Sequence, residues 1–288
     1  MPIFRRPDGD LVRGEAAVRR IMPYLMRGRN ESAVYHDTLY RIGSARDWLR
    51  AYNRSHPQRA TMFHLLAYAC LVALEARPRL NRFISGGRTY QRRQVSVSFV
   101  AKKEMTDEGA GATVKLVRPQ AETFPAFSAR MARLIDEARE TERAVDREVG
   151  LVMALPGPLV RLLVALVRAL DRVNLLPWFM MKNDPMYSSL FLANLGSMGV
   201  SDVYHHLYEY GTVSIFGAMS APRRAALVSD GELAVEDTLS VRWTFDERID
   251  DAFSCASSLA MVRDILESPE LHLGPATGEP SWRPLAAP

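Results

Sequence analysis

Histidines are the side chains best suited to move protons near neutral pH, and this chain of 288 residues has six of them. Only His205 and His206 are neighbours in the sequence. We expect them on a strand, where consecutive side chains point to opposite faces, so that one of the two rings can face a pocket. A purely structural role for the pair is the alternative interpretation, and the residues alone leave it open.

Motifs for several other common chemistries are missing. The sequence contains no phosphate-binding G-x-x-x-x-G-K-[ST] loop, no dinucleotide-binding G-x-G-x-x-G after a strand, no G-x-S-x-G nucleophile turn and no zinc-binding H-E-x-x-H helix. Its two cysteines, Cys70 and Cys255, are too few for a disulfide framework or a multi-cysteine metal site. We therefore predict no metal cofactor.

Charge is unevenly distributed along a chain whose net charge is only +4. Residues 1–60 hold twelve Arg against six acidic residues, and the whole chain has 33 Arg but only four Lys. A net charge this small does not favour nucleic-acid binding, so we predict no nucleic-acid partner. The N terminus has no apolar stretch behind its basic residues and hence no secretory signal, which favours a cytoplasmic location.

The elements that must position this chemistry are a mixture of helices and strands. Thr61 predicts the N-cap of a buried helix over 62–76, and Gly86-Gly87 predicts a hairpin turn. Further helices are expected over 46–53, 124–149 and 251–268, and strands over 95–101, 112–117, 188–196, 212–220 and 239–247. This mixture predicts one α/β domain over 16–273, between an N-terminal arm (1–15) and a flexible Pro-rich tail (274–288).

The most apolar stretch, at about 150–187, predicts a helical insertion. Arg161, Arg168 and Arg172 interrupt it, so no run of about 18 uncharged apolar residues remains to cross a membrane. Their spacing of i, i+7 and i+11 puts them on one helical face and makes the helix amphipathic. Packing on its own domain or on a neighbouring subunit, peripheral contact with a membrane surface and lining of an acyl-chain groove are the roles left open.

Four segments, taken together, resemble the catalytic domains of dihydrolipoyl acyltransferases from 2-oxo acid dehydrogenase complexes and the related chloramphenicol acetyltransferases. The segments are VRRIMPYLMRGRNES, TMFHLLAYACLVALEARPRLNRFI with QVSVSFVAKK, SLFLANLGSMGV, and LSVRWTFDERIDDAFSCASSLAMVRDILESPEL. The resemblance implies a chloramphenicol-acetyltransferase-like two-layer α/β sandwich, with a mixed sheet and helices on one face. It also implies a homotrimer or a multiple of trimers, with coenzyme A as the acyl donor in a channel between subunits.

The same resemblance maps a site and shows where this chain departs from the family pattern. The D-H-R-x-x-D-G signature falls on 246–252, so Glu247 stands where the catalytic His is expected. The structural Asp is kept as Asp251, and its implied ion-pair partner is Arg19 or Arg20.

A second departure lies in the S-N-L-G strand, where Ala193 replaces the hydroxyl that is expected to hold the oxyanion. Asn194 and Gly196 of that motif are kept, and the resemblance implies that they contact the substrate. Tyr204 falls on the following segment, which lines the acyl-acceptor channel in the family. Loss of one oxyanion donor costs roughly 10²–10³ in rate where it has been measured.

A glutamate serves as a general base near neutral pH only when burial raises its pKa or when it orients a histidine. We therefore expect His205 or His206 to work with Glu247 as a relocated acid–base pair. The resulting hypothesis is an acyl-CoA-dependent acyltransferase with a rewired site and an unknown acceptor, served by a lipoyl or acyl-carrier partner protein or by a small molecule. The alternative is a catalytically silent trimeric scaffold or regulatory subunit of a 2-oxo acid dehydrogenase-like assembly.

Overall fold

The described part of the chain, residues 5–102, 111–229 and 231–277 of a computed structural model, is built around a mixed sheet of seven strands. The strands are β1 (Gly9–Leu11), β2 (Ala33–Arg41), β3 (Arg82–Ser85), β4 (Arg88–Arg92), β5 (Ser96–Lys102), β6 (Gly111–Val117), β7 (Leu190–Asn194), β8 (Ile215–Met219), β9 (Arg223–Ser229) and β10 (Glu232–Asp246). The helices are α1 (Ala17–Leu25), α2 (Gly43–Ser55), α3 (Met62–Ala76), α4 (Phe124–Met153), α5 (Gly157–Arg172), α6 (Trp178–Met181), α7 (Ala252–Glu267) and α8 (Pro269–Leu273).

Strand β10 organises the large sheet because it pairs with three other strands. Its first half forms a hairpin with β9, and its second half lies between β2 and β8, antiparallel to both. From β8 the sheet continues through β7, β5 and β6, and β7 runs parallel to both of its neighbours. β2 forms one edge, and the described residues place no further strand beside it.

Helix α3 lies in the middle of the layer that covers one face of this sheet. Twelve of its fifteen residues are buried, as expected of a helix that is apolar on most faces. Thr61 and His64 form a capping box at its start, so the predicted N-cap is confirmed. Helices α2, α4 and α7 pack beside α3. The predicted two-layer α/β fold class, with helices on one face of a mixed sheet, is confirmed.

Alternation along β10 decides which side chains reach which face of the sheet. Trp243 and Phe245 belong to the main core under the helices, so Thr244 between them points to the other face. Trp243 lies against Gly217 of β8, where a Cβ would stand 2.6 Å from its ring. Glycine at 217 is therefore required for the close packing of the indole on the sheet.

A second, three-stranded sheet has the order β1-β4-β3. Gly86 and Gly87 form the β3–β4 turn with φ of +56° and +71°, which confirms the predicted hairpin. β1 comes from the segment predicted to be an N-terminal arm, and Arg6 just before it is buried. The structure thus packs residues 6–11 into the fold rather than leaving them as an arm outside a domain that begins at 16.

The predicted helical insertion comprises the end of α4, α5 and α6, which lie between β6 and β7. Within the described residues, no helix is both long and apolar enough to cross a membrane. The start of the predicted tail packs on the protein, since the Gly274 carbonyl accepts a hydrogen bond of 2.9 Å from Trp48 and Ala276 is buried. The rest of that predicted tail, 278–288, lies outside the described residues.

Candidate functional site

A cleft of about 440 Å³ lies where α1 and α7 meet the edge strand β2. Glu247, the first residue after β10, lines it with an exposed side chain. We call it the Glu247 cleft, and its size is within the range of small-molecule sites. The side chains in its lining that can carry charge, protons or a nucleophile are Arg19, His36, Glu247, Asp250, Asp251 and Cys255.

Arg19 of α1 connects the two motif residues that the sequence singled out. Its guanidinium lies 3.5 Å from the Asp251 carboxylate and donates a 3.3 Å hydrogen bond to the main-chain carbonyl of Glu247. Arg20, the other predicted partner, lines a different pocket with Arg13 and Arg88. The structure therefore brings Arg19, Glu247 and Asp251 together and leaves Arg20 apart.

Asp251 also holds the start of α7, where it accepts a 3.0 Å hydrogen bond from the backbone N–H of Ser254. This hydrogen bond, helped by the charge of Arg19, lowers the pKa of Asp251 below its ordinary value. The Asp251 side chain is about half exposed, at 48%. Its ion pair with Arg19 is therefore a solvated one, whose contribution to the free energy of unfolding is about 0–1 kcal/mol.

Buried charge supports the loop from beneath. Arg248 makes two hydrogen bonds of 2.7 and 2.8 Å to the Asp246 carboxylate, and both side chains are almost fully buried. Asp250 is also buried and pairs with Arg79 at 2.9 Å. These pairs turn Asp246, Arg248 and Asp250 inward, while Glu247 is exposed and Asp251 is half exposed. The buried charged residues therefore fix the backbone that presents Glu247 to the cleft.

His36 is the residue in the cleft that sequence reasoning missed. It lies on β2, whose residues 34 and 36 face the cleft, and its side chain is exposed. In the register of the sheet it lies opposite Trp243, four residues before Glu247 along β10. The sequence shows only an isolated histidine in a segment where apolar and polar residues do not alternate regularly. Such a pattern does not distinguish a site residue from a surface residue.

Cys255 of α7 places a thiol group in the cleft. Burial raises the pKa of its thiol to about 12, with the charges of Asp250 and Asp251 acting in the same direction. The thiol is therefore protonated near neutral pH and is not a nucleophile of the thiolate type. Among the described residues, no group of three or more His, Cys, Asp and Glu is placed to bind a metal ion.

Within one chain, the structure does not bring His205 or His206 to Glu247. Both histidines lie in an irregular segment before β8, not on a strand. The carbonyl of His205 accepts a 2.6 Å hydrogen bond from Thr244, whose neighbour Phe245 lines the Glu247 cleft. Because consecutive strand residues point to opposite faces, the histidines and Glu247 lie on opposite sides of the sheet.

The two histidine rings are held by stacking. His205 stacks on Phe216 with ring centres 4.0 Å apart, and His206 stacks on His205 at 4.7 Å. Burial lowers the pKa of His205, against the opposite effect of its hydrogen bond with the His206 carbonyl. A mainly neutral, stacked His205 has the properties of a structural residue, while the exposed His206 remains accessible.

Asn194 and Gly196 shape the turn after β7. The Asn194 side chain accepts a 3.3 Å hydrogen bond from the backbone N–H of Ser197. A Cβ at Gly196 would stand 2.5–2.6 Å from backbone atoms of Ser220 and Ala221 at the end of β8. In the described contacts both residues maintain backbone geometry, so their contact with substrate stays a prediction.

Few hydroxyl groups near Ala193 are free to replace the one that it lacks. Ser188 and Ser189 are buried and donate to main-chain carbonyl groups. Ser197 is exposed but also donates, at 2.7 Å, to the carbonyl of Asn194. Any oxyanion formed beside Ala193 would therefore depend on main-chain N–H groups or on another subunit.

Tyr204 stands on the same face of the sheet as the histidines. Its ring meets Tyr35 edge to face at 5.5 Å, and Arg242 lies over it at 5.5 Å from the ring centre. The side chain is 46% exposed. Tyr204 is thus positioned by neighbouring side chains with one side open, as a substrate contact requires, but it does not line the Glu247 cleft within the same chain.

The insertion presents its apolar face outward. Leu159, Leu162 and Leu166 of α5, spaced i, i+3 and i+7, are 49%, 65% and 53% exposed. Val167 and Leu170 on another side of the helix pack against the small apolar cluster around Met181. Packing on its own domain therefore covers only part of the apolar surface of α5.

Comparison with known families and structures agrees with this architecture. Residues 181–273 match the family model described as the catalytic domain of 2-oxoacid dehydrogenase acyltransferases. This segment contains β7 with its turn, β8, β9, β10, the Glu247 loop and α7. No curated protein sequence gives a significant match. The segment 181–273 is thus similar to the catalytic domain of these acyltransferases.

Solved structures extend the likeness to nine-tenths of the chain. A probable dihydrolipoamide acetyltransferase from Listeria monocytogenes 4b F2365 is similar with a TM-score of 0.60 and 13% identity, covering 90% of this chain and 95% of that one. The cubic core of a pyruvate dehydrogenase multienzyme complex is similar with a TM-score of 0.58 and 13% identity, covering 93% of each chain. A chloramphenicol acetyltransferase is similar with a TM-score of 0.52 and 14% identity, covering 90% of this chain and 99% of that one. The resemblance drawn from the sequence is confirmed, and at these identities it establishes the fold.

Proposed function

We propose that this protein is an acyl-CoA-dependent acyltransferase whose reacting groups meet at the Glu247 cleft. The observation that supports the proposal most directly is that Glu247 stands exposed in an open cleft at the motif position where the family is expected to place its base. A decayed loop would not need its backbone held by Arg19 and by the buried Asp246–Arg248 pair. The location we propose is cytoplasmic.

His36 supplies the imidazole that the motif position lacks. It lines the same cleft as Glu247 and Asp251, so the cleft holds one imidazole and two exposed carboxylates. In the proposed reaction His36 accepts the proton of the acceptor's hydroxyl, amine or thiol, and the negative charge of Glu247 elsewhere in the cleft favours the imidazolium through space. The acceptor then forms a bond to the acyl carbon, the C–S bond of the thioester breaks, and the proton leaves with the thiol of coenzyme A.

We place the complete site between subunits of a trimer. Around the cleft, large apolar side chains are exposed in the single chain: Val18 at 72%, Phe253 at 75% and Val34 at 41%. Edge strand β2 adds unpaired main-chain groups beside them. A neighbouring subunit that covers this surface would bring its own Tyr204 and Asn194 to the Glu247 cleft.

A second candidate function, a catalytically silent trimeric scaffold, is favoured by one observation. Ala193 removes the oxyanion hydroxyl, and the neighbouring serines are committed to carbonyl groups. A silent scaffold would keep the surface through which subunits assemble but would lack the groups that stabilise the oxyanion of the transition state. In such an assembly the lipoyl or acyl-carrier partner would dock without being acylated or deacylated by this chain.

Thiol release from acyl-CoA separates the two functions. Acetyl-CoA and longer acyl-CoAs are offered with dihydrolipoamide, small alcohols or amines, to the wild type and to Glu247→Gln and His36→Gln. We expect each variant to lose at least about 100-fold in turnover, as is typical for removal of a general base. His205→Ala and His206→Ala are the matched controls. Both histidines lie away from the Glu247 cleft of their own chain, so both variants should retain turnover.

Two results contradict the proposal. If His205→Ala or His206→Ala abolishes turnover while His36→Gln does not, the acid–base pair is formed with a histidine from another subunit. If the wild type consumes no acyl-CoA with any acceptor, the scaffold function replaces the enzymatic one.

A further inference from the structure

A second cleft lies on the other side of α1 and is lined largely by arginines. It has a volume of about 490 Å³ and separates the end of α1, the Gly86-Gly87 turn and the last turn of α5. Arginines outnumber carboxylates in its lining by five to two. The five are Arg27, Arg29, Arg168, Arg172 and Arg248. We call it the Arg cleft.

Both carboxylates of the Arg cleft are already engaged. Asp171 pairs with Arg6 at 2.7 Å. Glu209 accepts hydrogen bonds of 3.0 and 3.2 Å from the main chain and side chain of Asn30. Of the arginines, Arg248 is paired with Asp246. None of the remaining four arginines makes an ion pair with a carboxylate of the cleft, so arginine charge is in excess there.

Arg29 is the most informative of these four because it is 94% buried, with an exposure of 6%. Its terminal nitrogens donate to the carbonyl groups of residues 208, 209 and 211. Its Nε–H has no hydrogen-bond partner, and no carboxylate lies within ion-pair distance of it, among the described residues. A buried cation is costly unless an anion compensates it. The carboxylates of Asp246, Glu209 and Asp171 act on Arg29 only from beyond ion-pair distance, so a closer anion would be favourable.

Three further guanidinium groups face the same space without partners. Among the described residues, the side chains of Arg27, Arg168 and Arg172 make no hydrogen bond or ion pair. The two α5 residues are held in place because the last turn of α5 is fixed. Asp171 is bound by Arg6, and a Cβ at Gly86 would stand 2.3 Å from the carbonyl oxygen of Arg172.

We propose that the Arg cleft binds a phosphate group, as a phosphomonoester or a diphosphate. Guanidinium groups donate in pairs to phosphate oxygens, and such charge-assisted contacts are the strongest that arginine makes. The cleft has room for more than one phosphoryl group, and its unpaired charge suits a dianion. Neither the Glu247 cleft nor acyl transfer is needed for this binding, so the proposal stands independently of the proposed function.

The phosphate can come from a soluble compound or from a lipid headgroup, and the position of α5 makes both testable. Its outward face carries exposed Leu159, Leu162 and Leu166, the kind of face that lies on a bilayer when a basic side binds headgroups. Calorimetry with inorganic pyrophosphate at low salt tests the soluble source. Co-sedimentation with phosphatidylcholine vesicles that contain phosphatidic acid tests the lipid source, with pure phosphatidylcholine as the blank.

The double variant Arg168→Gln/Arg172→Gln removes two of the unpaired charges. Arg161→Gln is its matched control, since Arg161 lies on the same stripe of α5 but does not line the cleft. We expect the double variant to weaken binding by at least about tenfold and the control to leave it nearly unchanged. Arg29→Gln should weaken binding further, and circular dichroism checks that this variant folds.

Each result has a defined meaning. Pyrophosphate binding that depends on Arg168 and Arg172 supports the site with a soluble ligand, and vesicle binding with the same dependence supports a lipid headgroup. Absence of binding in both arms overturns the proposal. Equal losses in the double variant and in Arg161→Gln also overturn it, because they show attraction to the general positive charge of α5 rather than to the cleft.

Discussion

The guanidinium of Arg19 lies 3.5 Å from the carboxylate of Asp251 and at the same time donates to the carbonyl of Glu247. One side chain of α1 thus fixes both the start of α7 and the residue that stands in the cleft. Since the Arg19 and Asp251 side chains are 29% and 48% exposed, this contact positions the loop more than it stabilises the fold.

Arg19→Gln should lower the free energy of unfolding by about 1 kcal/mol or less, as is usual for solvated ion pairs. We expect a larger effect on turnover, because the Glu247 backbone loses its hydrogen bond. Urea denaturation and thiol-release assays measure the two effects. Arg20→Gln, one residue along the same helix, is the control and should change neither. A stability loss of several kcal/mol in Arg19→Gln would contradict this account of the pair.

The buried Asp246–Arg248 pair should contribute more to the free energy of unfolding than the solvated Arg19–Asp251 pair. Arg248→Met leaves the Asp246 carboxylate, whose side chain is fully buried, without its cation. We expect a loss of about 3–5 kcal/mol in the free energy of unfolding, measured by urea denaturation. The double variant Asp246→Asn/Arg248→Met should recover part of it. Arg263→Gln, which removes an exposed helix pair of 3.9 Å, is the control, and a comparable loss there would refute the argument.

His64 should make stability depend on pH. Burial lowers its pKa to about 4, while an unfolded histidine titrates near ~6.5. The unfolded chain therefore binds the proton first as the pH falls, so the stabilisation present above about pH 6.5 is lost progressively towards pH 4, by about 3 kcal/mol at most.

Denaturation curves at pH 4–7 for wild type and His64→Gln measure this contribution. Glutamine keeps an acceptor at the capping-box position but does not titrate. We expect a shallower pH dependence in the variant, and His206→Gln, at an exposed position, should follow the wild type. Parallel curves for wild type and His64→Gln would show that the acid sensitivity arises elsewhere.

The oligomeric state tests the location of the site. Light scattering should give a mass about three times that of the 32.3 kDa chain. Phe253→Asp, which puts a charge into the exposed apolar surface beside the cleft, should dissociate the trimer. Leu233→Asp is the control, because Leu233 is equally exposed, at 76% against 75%, but lies at the β9–β10 hairpin. A wild-type monomer at micromolar concentration would remove the interface and the site built on it.

Local signals predicted much of the fold. Thr61 located the start of α3, Gly86-Gly87 located a hairpin, and apolar runs or alternation located β5, β6, β7, β8 and the second half of β10. The strands β1, β2 and β9 were not expected. In the first half of β2, Val34 and Tyr35 lie on opposite faces and are both exposed, so alternation between a buried and a solvated side begins only at Thr38.

The site was only partly predictable, because its residues come together through the sheet rather than along the sequence. The motif located Glu247 and Asp251, and the opening helix supplied Arg19. The sequence could not predict His36 as a site residue, because only the pairing of β2 with β10 brings it to the cleft. His205 and Glu247 were expected to meet, but the alternation of Thr244 and Phe245 separates them by the thickness of the sheet.

The contact of Arg6 with Asp171 joins residues 165 positions apart in the sequence. During synthesis from the N terminus, Arg6 has no partner at α5 until that helix has left the ribosome, on the order of ten seconds later. The small β1-β4-β3 sheet must therefore remain open on one side while more than half of the chain is made. The first residues therefore close onto α5 only after about residue 171 has emerged, and long-range contacts of this kind slow folding.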